Sequence, residues 1–116
     1  MLNRVLLIGN VVEKPEIKKG KSAAWTDITL AINRPGQKDV VDYVRCRLIG
    51  TLAQNSDKLN VGDLVYVEGT LELNKYKTKK SGESATAARV LVSYIRRLIS
   101  RPAKADVDQG QQPENG

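Results

Sequence analysis

The stretch Tyr43-Val44-Arg45-Cys46-Arg47-Leu48-Ile49-Gly50 alternates in side-chain character with a period of two. Successive side chains of a β-strand point to opposite faces, so this period is typical of a strand with one buried face. We expect the core side to carry Val44, Cys46 and Leu48. The opposite side then carries Tyr43, Arg45, Arg47 and Ile49.

The expected outer side of this strand places one aromatic ring beside two guanidinium groups. A ring can stack on an exposed base while cations hold phosphates, so the combination suits unpaired nucleic acid. Surface strands of many proteins also carry Tyr and Arg without binding anything. On this strand alone, both interpretations stay open.

Composition points to one small domain rich in strands. The chain has 116 residues, 41% of them hydrophobic, and no Phe. Val, Ile, Leu and Thr recur in short runs, which favours strands over helices. No apolar stretch approaches the roughly 20 residues that span a bilayer, and the N-terminal apolar run is too short for a signal peptide. We therefore expect a cytoplasmic protein with no membrane partner.

The residues that usually carry catalysis or metal binding are scarce. The chain has no His and a single Cys, Cys46, which we expect to be a buried and inert thiol. One Cys forms neither an intramolecular disulfide nor a zinc cluster. Neither a Gly-rich phosphate loop nor a nucleophile elbow occurs in the sequence. We expect a protein that is not an enzyme, with no catalytic residues, no metal and no cofactor.

The net charge of +6 is unevenly distributed, because residues 1–101 are basic and residues 102–116 are weakly acidic. A basic folded unit fits a polyanionic partner. From residue 102 onward the large apolar residues almost vanish, so this stretch buries too little surface to offset its ordering entropy. We expect one domain over residues 1–101 and a disordered polar tail over residues 102–116.

Hydrophobic periodicity and turn signals predict five strands, at about residues 3–13, 23–33, 40–49, 64–77 and 87–99. Residues 51–59 form the one predicted helix, with Thr51 and Gln54 matching a capping box. In the fourth strand we expect Val65, Val67, Leu71 and Leu73 to point inward. Three strands, a short helix and two strands is the order of the five-stranded OB barrel, whose ligand face centres on strands two and three. The fold class is therefore all-β, an OB barrel with a disordered C-terminal tail.

Several short segments of residues 1–99 follow one known pattern in order and spacing. They are residues 3–10 (NRVLLIGN), 14–16 (KPE) and 28–31 (ITLA), and Arg45 with Leu48-Ile49-Gly50. The most specific stretch is residues 61–71, VGDLVYVEGTL. In these segments the chain resembles the bacterial single-stranded DNA-binding protein family. The resemblance implies a homotetramer of OB folds that coats single-stranded DNA in replication, recombination and repair.

The resemblance also implies roles for individual residues. Tyr43 and Tyr76 match base-stacking aromatics, whereas Ile49 and Gly36 stand where the family commonly has further aromatics. For Trp25 we favour packing over base stacking. The expected DNA-binding residues are Arg4, Arg34, Tyr43, Arg45, Arg47, Ile49, Lys75, Tyr76, Lys77, Lys79 and Lys80.

The expected function is sequence-independent binding of single-stranded DNA. One alternative is a primosome-type dimeric OB protein that contacts single-stranded DNA and a helicase. Another is a scaffold whose basic face docks an acidic protein. The family recruits replication and repair proteins through a strongly acidic tip that closes on an aromatic residue. The sequence given ends on Gln111-Gln112-Pro113-Glu114-Asn115-Gly116, without that tip, so partner recruitment by that route is not expected. The alternatives are an accessory or divergent paralogue, or an organism that recruits these partners in another way.

Overall fold

Six strands and one short helix make up residues 1–80 and 82–101, the part of the chain that this computed structural model describes. The expected tail, residues 102–116, lies outside the described residues, so its disorder stays a prediction. Within the described part, no helix has the length and apolar character needed to cross a membrane. The elements are β1 Val5–Val11, β2 Lys18–Lys19, β3 Ala24–Asn33, β4 Val41–Ile49, α1 Thr51–Asn55, a 3₁₀ turn Ser56–Lys58, β5 Leu64–Lys77 and β6 Ser84–Ile99.

The strands close into a barrel. Their order is β1-β5-β6-β4-β3-β2, and β1 also pairs with β3 through Asn10↔Ala31 and Val11↔Leu30. All pairs are antiparallel except β4 with β6. β2 is only a two-residue addition to the edge of β3. The helix between β4 and β5 completes the predicted order, so the expected OB fold is confirmed.

The core follows the period of two in the long strands. Ile28 and Leu30 of β3, Cys46 and Leu48 of β4, and Val65 and Val67 of β5 are fully buried. Burial raises the pKa of the Cys46 thiol to about 12, with a smaller contribution from the nearby Asp27 carboxylate. The expectation of a buried thiol is therefore confirmed, and its raised pKa disfavours the reactive thiolate form.

The expected capping box at the helix start is wrong. Gly50, at φ +69°, occupies the N-cap position, and no side chain caps the helix. Thr51 is already the first helical residue, so its hydroxyl lies one position too late to cap. The Gln54 backbone N–H donates to the Gly50 carbonyl at 3.0 Å. The helix therefore starts from a glycine turn and lasts only five residues before the 3₁₀ turn.

The expectation that Leu71 and Leu73 point inward is also wrong, since they are 43% and 63% exposed. Pairing of β5 with β1 ends at Gly69, while pairing of β5 with β6 continues to Lys77. Beyond Gly69 the two strands form a hairpin that projects past the barrel. Leu71 and Leu73 lie on the face of the hairpin that continues the core-facing side of β5. At this point few core residues lie close enough to pack against them.

Candidate nucleic-acid interface

The outer face of the β3–β4 pair carries the residues singled out in the sequence. Antiparallel pairing sets Ala31 opposite Tyr43, Thr29 opposite Arg45, Asp27 opposite Arg47 and Trp25 opposite Ile49. Alternate residues on β4 lie about 6.6 Å apart, so the four outward side chains form a row along the strand. The expected division of β4 into a core side and an outer side is confirmed.

The first of two grooves along this face brings both candidate stacking rings together. This open groove of about 540 Å³ is called the tyrosine groove, and it is lined by Thr29, Tyr43, Arg45, Tyr76, Ala87 and Ala88. Tyr43 is 67% exposed and Tyr76 is 53% exposed. β6 pairs with β4 only around Val90 and Leu91, so the earlier part of β6 is not bonded to β4. The groove lies there, between β4 and the β5–β6 hairpin.

A second groove of about 320 Å³ continues the first along β4. It is called the arginine groove, and it is lined by Asp27, Arg45, Arg47, Asn74, Ala87, Ala88 and Arg89. Arg45, Ala87 and Ala88 line both grooves, so the two form one channel. Alanine side chains at the shared point leave the channel open.

The cations of this face differ in how they are held. Within residues 1–80 and 82–101, Arg45 forms no ion pair, and its side chain is exposed. Arg47 donates two hydrogen bonds to the Asp27 carboxylate, at 2.6 and 2.9 Å. These bonds keep the pKa of Asp27 below its ordinary value in spite of partial burial. Arg45 is therefore available to bind an anionic ligand, whereas Arg47 is already paired with the Asp27 carboxylate.

Several other expected site residues lie apart from the channel. Arg4 forms an ion pair with Glu68 at 3.0 Å, and Arg34 forms one with Asp42 at 2.6 Å. The pKa of Asp42 is accordingly lowered by the hydrogen bond from Arg34. None of these four residues lines either groove.

The hairpin residues divide between its two faces. Asn74 and Tyr76 line the channel, so by strand alternation Lys75 and Lys77 point to the other face of β5. Lys79 and Lys80 lie at the exposed hairpin tip. Ile49 is exposed at the far end of the β4 row, opposite Trp25. The structure thus gathers Tyr43, Arg45, Arg47 and Tyr76 in one channel and leaves the other predicted residues around it.

The sequence interpretation missed the contribution of β6 and of Trp25. Ala87, Ala88 and Arg89 form one wall of the channel, and the only sequence signal was a run of small residues ending in a cation. Trp25 lies on the outer face beside Arg47, whose guanidinium carbon is 4.1 Å from the ring centroid. Its register opposite Ile49 depends on strand pairing, which the sequence does not specify.

A different part of the barrel surface carries the other two tyrosines. Tyr66 and Tyr94 pack edge to face with centroids 6.1 Å apart, and the Tyr66 hydroxyl donates to Glu68 at 2.6 Å. Ile8 of β1 pairs with Tyr66, and Leu6 pairs with Glu68, which in turn pairs with Tyr94; Leu6 and Ile8 are 55% and 52% exposed. This mainly apolar area, which also contains the Arg4–Glu68 ion pair, is called the β1 patch. Neither tyrosine lines the channel.

The arrangement can bind planar and anionic groups. Among the described residues, no group of three His, Cys, Asp or Glu side chains lies close enough to hold a metal ion. The channel offers exposed rings, the Arg45 guanidinium, which has no ion-pair partner within the described part of the chain, and hydrogen-bond donors such as Asn74. Such a surface matches a chain of bases joined by phosphates.

Comparison with known proteins gives a consistent result. The model of the single-strand binding protein family matches residues 2–98. The chain is 32% identical to a single-stranded DNA-binding protein of Thermus thermophilus, with 97% of this chain and 44% of that protein aligned. It is 30% identical to one from Thermosynechococcus vestitus, with 97% and 92% aligned. It is 35% identical to one from Onion yellows phytoplasma, with 82% and 92% aligned. The chain thus spans less than half the length of the Thermus relative.

Proposed function

The chain belongs to the single-strand binding protein family, and we propose that it binds single-stranded DNA without sequence preference along the channel. The observation that carries the proposal is that Tyr43 and Tyr76, from distant strands, line one open groove with exposed rings. Every base has a flat face, so stacking on these rings tolerates any sequence. The proposed action is binding alone, with no covalent chemistry.

Phosphates would be held by cations around the rings. Arg45 lies in the channel without a carboxylate partner among the described residues, so it is the first candidate. Lys79 and Lys80 at the hairpin tip, with Lys75 and Lys77 behind it, would attract the strand as it leaves the channel. Arg4 and Arg34 would have to exchange their carboxylates for phosphates, so we assign them a peripheral role.

The biological role follows from this binding. A protein that coats unpaired strands would protect them in replication, recombination and repair, and would meet the proteins of those processes there. That work takes place where the chromosome lies, so the proposed location is the cytoplasm, at the nucleoid.

The proposed assembly is a homotetramer in which the β1 patch forms a contact between subunits. Leu6 and Ile8 are more than half exposed, and Tyr94 and Leu98 add exposed apolar surface on β6, on the other side of β5. Large apolar side chains exposed together on one face mark an interaction site. The channel lies outside this patch, so assembly would leave it accessible.

The function is tested by changing both groove tyrosines to Ala. Loss of stacking costs roughly 1–3 kcal/mol per base, so the affinity of Tyr43→Ala/Tyr76→Ala for oligo-dT should fall at least tenfold. Fluorescence anisotropy of a labelled oligo-dT at fixed salt measures this. The matched control is Tyr43→Phe/Tyr76→Phe, which keeps both rings and should bind as the wild type does.

A competition experiment separates this function from the scaffold hypothesis. Unlabelled poly-dT should displace the labelled strand at much lower concentration than duplex DNA. Equal displacement by both would contradict the proposal, and so would an unchanged affinity in the double Ala variant.

A further inference from the structure

Arg47 is fixed on two sides by its neighbours. Asp27 accepts hydrogen bonds from its Nε and Nη2 atoms, and the Arg47 and Asp27 side chains are only 23% and 28% exposed. The ring of Trp25 lies under the guanidinium, with the central carbon 4.1 Å from the ring centroid. Nζ of Lys18 also lies 5.1 Å from that centroid. These contacts hold the guanidinium plane in one orientation.

The pairing with Asp27 changes what Arg47 can offer to a nucleic acid. A bidentate, partly buried pair has its charge largely compensated, and Asp27 stays ionised because the Arg47 hydrogen bonds lower its pKa. A phosphate would have to displace this carboxylate before it could bind. Arg45, the next outward residue on β4, has no such partner within the described residues. Arg45 is therefore better placed than Arg47 to hold a phosphate.

Arg47 is partly accessible from the channel, since its side chain is 23% exposed and it lines the arginine groove, whereas Trp25 does not. A ring that covers one side of the guanidinium leaves the opposite side as the one that a ligand in the groove can reach. A planar, delocalised and weakly hydrated cation stacks well on aromatic faces, including those of nucleobases. Tyr43 lies four residues away on the same face, at a distance of about 13 Å.

We propose that Arg47 is a third stacking platform of the channel, on which a nucleobase lies flat against the guanidinium that Trp25 supports and Asp27 fixes. This inference rests on the proposed function, since it assigns a further base-binding position within the same channel. Arg47 therefore contributes to DNA binding more through stacking on its flat guanidinium group than through its positive charge.

Arg47→Lys tests whether Arg47 contributes to DNA binding through its flat guanidinium group or through its positive charge. Lysine keeps the positive charge and can still pair with Asp27, but it has no flat face. The affinity for oligo-dT should fall about fivefold or more, as expected for the loss of one stacked base. The slope of log affinity against log salt should stay unchanged, because no phosphate contact is lost. The matched control is Arg96→Lys, the same change on an exposed β6 residue outside both grooves.

A second variant guards against misfolding of the first. Trp25→Leu removes the supporting ring and leaves the Arg47–Asp27 pair, so it should also weaken oligo-dT binding, by a smaller factor. Thermal unfolding of each variant is measured in parallel. A purely structural cluster would lower the melting temperature of both variants and leave their affinities at the wild-type value, which would overturn the inference.

The outcomes distinguish this inference from the function on which it rests. If the wild type shows no preference for poly-dT over duplex DNA, the proposed function fails. If that preference and the effect of the tyrosine variants hold, but Arg47→Lys binds as tightly as the wild type, only the third platform is wrong.

Discussion

At the scale of single residues, Asp63 explains how the loop before β5 is held. Its side chain is fully buried. Burial opposes its ionisation, but the backbone N–H groups of Arg101 and Asn60 donate to it at 2.7 and 2.9 Å, and the Arg97 guanidinium lies at 3.5 Å. Together these donors lower the pKa of Asp63 below its ordinary value of 3.8. The carboxylate therefore fastens the end of β6 to the loop that leads into β5.

Asp63→Asn should destabilise the fold at neutral pH. One acceptor becomes a donor that faces other donors, which costs roughly 1–3 kcal/mol of unfolding free energy. Because the folded-state pKa is depressed, the carboxylate stabilises the fold fully above its ordinary pKa and loses this contribution as the pH falls through the folded-state value. Urea unfolding at several pH values should therefore show a gap between wild type and variant at pH 7 that narrows below about pH 4. A gap that stays constant over this range would contradict the assignment.

The sequence alone could place some of these residues and not others. The outward direction of Tyr43 and Arg45 followed from the period of two in one strand, since alternation needs no partner. The pairing of Arg47 with Asp27 and its contact with Trp25 depend on the register between β3 and β4. From the sequence alone, Arg47 is expected to bind phosphate. Its carboxylate partner lies on another strand, so the sequence of β4 does not show that the guanidinium is already paired.

At the scale of elements, the β5–β6 hairpin decides the shape of the channel. A register shift between Glu68 and Gly69 marks the point where β5 leaves the barrel. Gly69 is buried there, and an added Cβ would overlap the Leu91 carbonyl oxygen and come within 2.8 Å of Val90 Cγ1. Only glycine allows β6 to approach β5 this closely.

Gly69→Ala should therefore destabilise the barrel. The new methyl group meets backbone that cannot move aside without breaking the pairing, which costs roughly 1–3 kcal/mol. Thermal unfolding should show a clearly lower midpoint than that of the wild type. Thr70→Ala, at the exposed neighbouring position, is the matched control and should unfold close to the wild-type temperature. Equal midpoints for the two variants would remove this role from Gly69.

The ends of the strands are easier to predict from the sequence than which of their side chains are buried. The fourth strand was expected at residues 64–77 and β5 is Leu64–Lys77, because turn residues bound it on both sides. Its alternation continues unchanged past Gly69, so Leu71 and Leu73 look like core residues in the sequence. The barrel ends where β1 stops pairing with β5 and β4 stops pairing with β6. The sequence of β5 alone does not show either point.

At the scale of the whole molecule, the barrel separates two surfaces with different chemistry. The channel is lined mainly by rings, arginines and alanines, whereas the β1 patch is mainly apolar. We propose that a second copy of the chain covers this patch. The sequence of β1 agrees with this proposal, because residues 5–8 are apolar at every position and so supply apolar side chains to both faces of the strand.

Leu6→Lys combined with Ile8→Lys should reduce the mass of the assembly in solution. Two added charges would have to be buried at the contact, and the neighbouring Glu68 carboxylate is already paired with Arg4 and Tyr66, so association is opposed. Light scattering should give a tetramer for the wild type and a smaller species for the variant. Val61→Lys, an exposed apolar position in the loop before β5, is the control and should keep the wild-type mass. A wild-type dimer would favour the primosome-type hypothesis, and an unchanged mass in the variant would exclude the β1 patch as the contact.

The most direct test of the account uses the four tyrosines of the chain, of which two line the channel and two lie by the β1 patch. A deoxyuridine oligomer carrying 5-iodouracil is bound to the wild-type protein, irradiated and digested, and the cross-linked peptides are identified by mass spectrometry. Binding along the channel should give cross-links at Tyr43 and Tyr76. Cross-links confined to Tyr66 and Tyr94 would place the DNA on the other surface and exclude binding along the channel.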